Sequence, residues 1–145
     1  MGNMIIGSHR AFLKDTLRLQ IDFSQTDQSK RVDPPPVQKP FAEGRKLIAL
    51  PEKDAFSAFY GTDLIEAIGH RRSQRHFLNL SLSLTELSFL LWATQGITGP
   101  ISPGCAMRTV PSAGCRHAFE TYLLINNVNS FERGVYHYLP VEHAL

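Results

Sequence analysis

Two short segments carry residue types suited to binding a phosphorylated cofactor. The first, Arg71-Arg72-Ser73-Gln74-Arg75, places three guanidinium groups and a hydroxyl within five residues. Guanidinium forks and hydroxyl donors are groups that hold a phosphate. The second, Pro111-Ser112-Ala113-Gly114, has small side chains that let its backbone approach a flat ring. Together the segments predict a site for a phosphorylated, planar cofactor such as flavin mononucleotide (FMN).

Each segment also has a simpler interpretation. Basic residues late in a helix suit the helix dipole without binding anything, and on pattern alone a solvated basic face fits Arg71–Arg75 somewhat better. Taken alone, Pro111–Gly114 is more typical of an ordinary turn. Arg108 stands just before this turn, where it could add positive charge beside a reduced flavin or equally face solvent.

Other residue types give no catalytic assignment. Cys115 and His117 suggest a thiol nucleophile, but their spacing does not establish a contact, so a bystander cysteine fits better. Cys105 and Cys115 are the only cysteines, and we expect free thiols in a reducing compartment. The sequence has no metal-binding pattern, no Walker loop and no G-x-G-x-x-G fingerprint, so we expect no metal site.

Composition indicates a globular protein, and we expect a cytoplasmic one. The 145 residues are 43% hydrophobic and 19% charged, and a chain of this length buries roughly 70% of its unfolded surface. A net charge of +2 gives no reason to expect a nucleic-acid or anionic-membrane partner. No apolar run approaches the ~20 residues that cross a bilayer, and no secretion signal is visible.

The first half of the chain predicts a helix, an arm and a short strand. Residues 10–21 fit a short amphipathic helix. Residues 24–44 contain Pro34-Pro35-Pro36, which favours an extended arm, with a flexible linker as the alternative. The apolar run at residues 46–50 reads as an edge strand that Pro51 stops.

Two helices follow, each with its own start signal. Asp63 and Glu66 have capping-box spacing and predict a helix that ends near the arginines. Ser83 and Glu86 predict a second helix start, and Gly96 suits a left-handed residue at its end. Apolar residues recur at helical spacing in that helix: Leu84, Leu87, Leu90 and Leu91.

The remaining residues predict a loop and a β-hairpin. Residues 97–108 hold two glycines and two prolines, which is typical of a loop. Residues 121–125 are a continuous apolar run of strand length, and residues 135–138 read as the returning strand after a turn-rich stretch. The order helix, helix, strand, strand predicts the α+β class.

On four motifs in this order, the chain resembles the nitroreductase-like flavoproteins, and most closely their branch called SagB-type dehydrogenases. The motifs are residues 67–77, residues 82–88 with 91–97, residues 108–114 and residues 134–138. The proline-rich arm also resembles the N-terminal extension of that branch. The resemblance covers most of the chain.

The resemblance implies an FMN-dependent homodimer with an α+β fold, in which helices flank an antiparallel or mixed sheet and the flavin sites lie at the dimer interface. The residues that would hold the FMN phosphate and ribityl chain are Arg71, Arg72, Ser73 and Arg75. Those that would lie beside the isoalloxazine ring are Pro111, Ser112, Ala113 and Gly114.

The activity implied is hydride transfer through flavin N5, usually from NAD(P)H to an acceptor. Some SagB-type members instead oxidise azoline rings to azoles in modified peptides, so the substrate would be a small molecule or a modified peptide. A non-catalytic chain that dimerises, or binds a partner chain, without retaining FMN is the alternative.

Two departures from the family pattern matter. The family domain continues well beyond Leu145, so the resemblance implies an N-terminal segment with the proline-rich arm at 1–60 and only the N-terminal part of an FMN-binding domain at 61–145. This fits a fragment, a truncated gene product or one piece of a split protein. In addition, Cys115-Arg116-His117 stands where members have a small apolar residue with an aromatic soon after.

Overall fold

The computed structural model describes residues 10, 14–41, 43–59 and 61–145. The chain divides into two compact units, Met1–Pro35 and Pro36–Leu145. This division falls inside the proline run. The division of the chain into 1–60 and 61–145 was drawn from the family resemblance. It stays a prediction.

The first unit consists of tight turns in its described part. A 3₁₀ helix spans Asp15–Gln20 and buries no residue, where an amphipathic helix was predicted. A short helix without a packed face lacks the tertiary contacts that stabilise α-helices. Residues 11–13 of the predicted helix lie outside the described residues. A second 3₁₀ turn at Phe23–Gln25 and turns at 27–31 occupy the start of the predicted extended arm.

In the second unit, helix α1 spans Leu64–His70. Its start is the predicted one, because Asp63 Oδ1 accepts hydrogen bonds from the backbone of Ile65 at 2.8 Å and of Glu66 at 3.2 Å. Every residue of α1 is exposed, as are residues 71–80 that follow it. The helix therefore leads directly into the arginine segment on the surface.

Helix α2 spans Leu84–Gln95 and begins with the complete capping box that the sequence predicts. Ser83 Oγ accepts from the backbone N–H of Glu86 at 3.2 Å, and Glu86 Oε2 accepts from the backbone N–H of Ser83 at 2.7 Å. These bonds to Ser83 lower the pKa of the Glu86 carboxyl, the backbone bond contributing most. Leu87 and Leu91 on this helix enter the core.

The end of α2 differs from the prediction. Gly96 has φ −63° and ψ 149°, which is extended backbone and not left-handed. A Cβ at this position would clash with Trp92 Cδ1 and lie 2.6 Å from Trp92 O. Glycine is needed here because the chain passes closely over the last helical turn.

The predicted loop at 97–108 is wrong, because these residues form a β-hairpin. Strand β1 spans Ile97–Ser102 and pairs antiparallel with β2, Cys105–Arg108. Gly104 has φ +67° in the turn, and the register is irregular between Ile97 and Ile101. The prolines and glycines thus occupy the turn and the irregular stretch, where they do not prevent pairing.

The second hairpin matches the prediction. Strands β3, Thr121–Ile125, and β4, Gly134–Tyr138, pair antiparallel in continuous register, with Tyr122 opposite His137. The start of α2 lies against the connecting turn, since Asn129 N donates to Leu82 O at 2.8 Å. Helices beside two-stranded antiparallel sheets are compatible with the α+β class.

The core joins α2, the second hairpin and the residues around 50 and 145. Its buried members are Leu50, Leu87, Leu91, Ile125, Tyr138 and Leu145. The predicted strand at 46–50 forms only a bridge, in which Ile48 and Leu145 exchange backbone hydrogen bonds of 2.7 and 2.9 Å. An aromatic cluster also packs on α2, formed by Phe56, Phe59, Phe89 and Trp92.

Candidate functional site

The arginine segment begins at the C-cap of α1. The backbone N–H of Arg71 still donates to Ala67 O at 3.0 Å. Arg72 Nη1 donates to Gly69 O at 3.0 Å and to Arg71 O at 2.8 Å, so this guanidinium folds back onto the carbonyl end of the helix. That contact is the helix-dipole role that cations play at C-termini. One of the three arginines therefore already stabilises the helix end.

The neighbouring side chains remain available. Ser73 and Arg75 are exposed, and among the described residues the structure gives their side chains no hydrogen bond or ion pair. Arg72 itself keeps the rest of its five N–H donors unused. The donor chemistry of the segment thus fits a phosphate group.

The Pro111–Gly114 segment leads into a 3₁₀ turn at Ala113–Cys115. Gly114 has φ +66°, a left-handed conformation that favours glycine. A Cβ on Gly114 would meet only Arg116 Cγ, at 3.9 Å, so the space beside this backbone is open. Ser112 Oγ accepts from the backbone N–H of His117 at 3.1 Å, which fixes the turn.

The two segments are not joined to each other by hydrogen bonds or ion pairs in the described part of the chain. Both segments are largely exposed, but contacts among the described residues do not assemble them into one site. Their assignment as FMN ligands stays a prediction.

Arg108 is half-buried and does not simply face solvent, which was one of the two positions that the sequence left open. A position beside a reduced flavin stays a prediction. Arg108 Nη2 donates to Val37 O at 3.0 Å and its Nη1 to Gln95 Oε1 at 3.3 Å, while its buried Nε has no partner in the described residues. Burial lowers the pKa of Arg108, and the nearby Glu120 carboxylate partly opposes this. The side chain therefore ties residue 37 to the end of α2.

The thiol of Cys115 lies between strand β2 and its own turn. Its Sγ donates to Ala106 O at 3.1 Å. A hydrogen bond with Cys105, followed by burial, raises the pKa of Cys115, while burial and the charge of Arg108 lower the pKa of His117. Since the thiolate is the nucleophile, a raised pKa makes Cys115 a poor one at neutral pH. This agrees with a bystander role; both cysteines are free thiols.

A buried polar cluster went undetected in the sequence. Ser88 Oγ donates to Pro51 O at 2.6 Å and lies 2.8 Å from His143 Nε2, while Tyr138 OH lies 2.9 Å from His143 Nδ1. These hydrogen bonds are compatible with one another when His143 Nε2 carries the ring proton. Nε2 then donates to Ser88 Oγ, and Nδ1 accepts from Tyr138 OH. Ser88 is 37 residues from Pro51 and 55 residues from His143, so no local motif predicts the cluster.

The Ser88–His143 pair has the separation of a nucleophile and its base. Ser88, however, has no exposed surface, and its hydroxyl proton is donated to a carbonyl. A substrate has no access to that oxygen. The cluster is therefore structural, and it anchors the turn before Leu145 to helix α2.

The described residues show neither a group of possible metal ligands nor a membrane-spanning helix. Nowhere in them do three or more His, Cys, Asp or Glu side chains come together in a way that could hold a metal ion. Within the same part of the chain, no helix combines the length and apolar character needed to cross a bilayer.

Comparison with known proteins supplies one informative similarity. The chain is 39% identical, over 75 residues, to a protein of Methanocaldococcus jannaschii named as a putative nitroreductase. The aligned residues are 52% of this chain and 36% of that protein, so the chain spans about a third of the length of the curated relative it matches. No family model matches the chain. The similarity supports a nitroreductase-like family and suggests the general class of oxidoreductases.

Proposed function

We propose that this chain forms part of an FMN-dependent oxidoreductase of the nitroreductase or SagB-type dehydrogenase class. The reaction proposed is hydride transfer through flavin N5 between NAD(P)H, or an organic substrate, and an acceptor. The observation that carries the proposal is the 39% identity over 75 residues to a named nitroreductase. The four ordered motifs of the sequence agree with this identity.

The exposed residues fit the cofactor by their chemistry. Arg71 and Arg75 are exposed guanidiniums, and Ser73 adds a hydroxyl between them, which is a donor set for a phosphate. Gly114 leaves open space beside its backbone, which suits the close approach of a planar ring.

In the proposed site, the chain's own residues bind and orient. Arg71, Arg75 and Ser73 would hold the phosphate end by charge-assisted hydrogen bonds, and Arg72 would contribute its remaining donors while keeping its contacts to the helix end. Pro111–Gly114 would position the ring through backbone contacts. The bound FMN would supply the hydride chemistry itself, and the protein would supply position and electrostatics.

A homodimer is part of the proposal. Helix α1 exposes Leu64, Ile65 and Ile68, which are 72%, 81% and 68% accessible. Exposed apolar residues this close together mark interaction surfaces. Because α1 leads directly into the arginines, pairing at this face would cover the FMN phosphate segment.

The same surface favours a second candidate function. Beyond α1, the exposed segment that follows also carries accessible apolar side chains, namely Phe77, Leu78 and Leu80. A chain that pairs with itself, or with a partner chain, without retaining FMN would use this surface equally well. The two candidates differ in whether flavin is held.

One measurement separates the candidates. We would record the visible absorbance of the purified chain with and without added FMN, together with its oligomeric mass. Bound-flavin bands at near one FMN per chain in a dimer support the oxidoreductase and lead to NAD(P)H oxidation assays. A dimer or hetero-complex without flavin supports the non-catalytic chain and contradicts the enzyme proposal for this chain.

A further inference from the structure

A cavity of about 830 Å³ lies between the second hairpin and residues 39–48. Its size falls within the roughly 300–1,000 Å³ typical of small-molecule sites. None of its lining residues belongs to the segments 71–75 or 111–114. It is therefore separate from the residues proposed to hold FMN.

The apolar part of the cavity is fixed by backbone pairing. Leu139 and Leu145 line it, and both side chains are buried. The backbones of Ile48 and Leu145 exchange two short hydrogen bonds, 2.7 and 2.9 Å long. A cavity whose lining is fixed in this way is preformed, which reduces the ordering cost of binding.

One aromatic wall is held in place by a carboxylate. The ring of Tyr122 stacks on that of His137, with centroids 4.6 Å apart and planes at 17°. Glu120 Oε2 lies 2.8 Å from His137 Nε2, and Glu120 Oε1 accepts from the backbone N–H of Lys39 at 2.9 Å. Glu120 thus fixes both the stacked rings and the position of a basic residue in the lining.

A second ring pair adds to the aromatic lining. Phe131 and Tyr136 meet edge to face, with centroids 5.2 Å apart. The hydroxyl of Tyr136 donates to Glu132 O at 3.0 Å, so this ring also has a fixed orientation. Pre-placed ring faces and edges favour a planar aromatic ligand.

The charged groups of the lining are mostly positive. Lys39, Arg45 and Lys46 contribute three cationic side chains, against one acidic side chain, that of Glu132. In the part of the chain that the structure describes, no carboxylate forms an ion pair with any of the three cations. Unpaired cations beside the apolar lining attract an anion. A guanidinium can bind a carboxylate through two parallel hydrogen bonds.

We propose that this cavity binds a small aromatic carboxylate. The aromatic ring packs against Tyr122 and Phe131, and the carboxylate pairs with Arg45 and Lys46. A single negative charge matches the lining, since Glu132 offsets part of the positive charge and would repel a more highly charged group. This site and its ligand class do not depend on the FMN proposal.

The test uses the full chain with 2-naphthoate as the probe, measured by titration calorimetry. Saturable binding at one site is expected, with neutral 2-naphthamide at least about tenfold weaker because it lacks the charge. Equal affinity for the amide, or absence of naphthoate binding up to millimolar concentration (about −4 kcal/mol), overturns the proposal. Tenfold tighter binding of 2-naphthyl phosphate would assign the cavity to phosphate esters and also overturn it.

A matched pair of variants locates the site. Arg45→Gln with Lys46→Gln should weaken 2-naphthoate binding by about tenfold or more, and both side chains are exposed, so the fold should persist. Lys14→Gln with Lys30→Gln removes the same charge outside the lining and should leave the affinity within a factor of about two. If both double variants weaken 2-naphthoate binding equally, the proposed location of the site is overturned. If FMN displaces 2-naphthoate, the proposal that the two sites are separate is overturned.

Discussion

Ser88 Oγ lies 2.8 Å from His143 Nε2, although 55 residues separate the two positions in the sequence. The contact holds the turn near Leu145 against helix α2, and Tyr138 and Pro51 complete its hydrogen bonds. A buried polar network of this kind stabilises a fold only while every polar group in it has a hydrogen-bond partner. The cluster therefore controls how the last residues dock on the core.

Replacing Ser88 tests the cluster directly. Ser88→Ala removes both the donor to Pro51 O and the acceptor for His143 Nε2, so we expect a loss of about 1–3 kcal/mol in the free energy of unfolding. Urea unfolding measures this loss. Ser57→Ala, at an exposed position, should stay within about 0.5 kcal/mol of the parent. Equal stability of the two variants would show that the cluster does not stabilise the fold.

Tyr138 makes stability fall in strong alkali. Burial raises its pKa to about 12, whereas in the unfolded chain it titrates near 10. Its contribution is fully present below about pH 10 and is lost as the pH rises toward about 12, because the unfolded state releases the proton first. Urea unfolding across this range should show the loss in the parent and a smaller loss in Tyr138→Phe.

The matched control is Tyr122→Phe. This ring is exposed, and the variant should keep the alkaline loss of the parent. Tyr138→Phe also leaves His143 Nδ1 without its donor, so it should be less stable at neutral pH by about 1 kcal/mol. An alkaline profile identical to that of the parent would contradict the assignment to Tyr138.

Local signals explain which parts of the fold could be predicted. The caps at Asp63 and Ser83 and the second hairpin follow from residues close together in the chain, and the structure confirms them. The first hairpin was missed because its prolines and glycines look like a loop, while its pairing tolerates an irregular register. The cluster around Ser88 depends on partners 37 and 55 residues away, which no local pattern encodes.

The candidate site was predictable only as residue types. The exposure of Ser73 and Arg75 and the open backbone at Gly114 agree with the chemistry inferred from the sequence. The position of Arg108 was not predictable, because its partners Val37 and Gln95 come from distant segments. Tertiary contacts decide whether a cationic side chain is bonded within the fold or stays free to bind a ligand. The spacing of residues in the sequence does not reveal these contacts.

The arginine segment has a quantitative test. Arg72→Ala with Arg75→Ala should weaken FMN binding by about 3–6 kcal/mol, if each guanidinium makes a charge-assisted contact of about 1.5–3 kcal/mol. Quenching of FMN fluorescence on titration with protein measures the affinity. Lys14→Ala with Lys30→Ala loses the same charge elsewhere and should bind FMN like the parent. An affinity within a factor of about two of the parent in the arginine variant would reject the phosphate assignment.

Cys115 should react slowly with alkylating agents. The hydrogen bond with Cys105 is the largest cause that raises its pKa, so the thiolate fraction at neutral pH is small. Iodoacetamide labelling followed by peptide mass spectrometry should show faster modification of Cys115 in Cys105→Ala than in the parent.

We also expect Cys115→Ala to keep any NAD(P)H oxidation. Rapid labelling in the parent, or loss of that oxidation with the fold intact, would revive the nucleophile hypothesis.

Gly96 is required by the close passage of the chain over Trp92. In Gly96→Ala the new Cβ would lie 2.6 Å from the backbone oxygen of Trp92, an atom that moves only if the helix end moves. We expect a loss of about 1–3 kcal/mol, seen as a lower melting temperature. Gly99→Ala is the matched control, because its closest contact, 3.0 Å, is with the flexible sulfur of Met107. A larger loss at Gly99 than at Gly96 would show that helix α2 does not constrain the start of β1 as the structure has it.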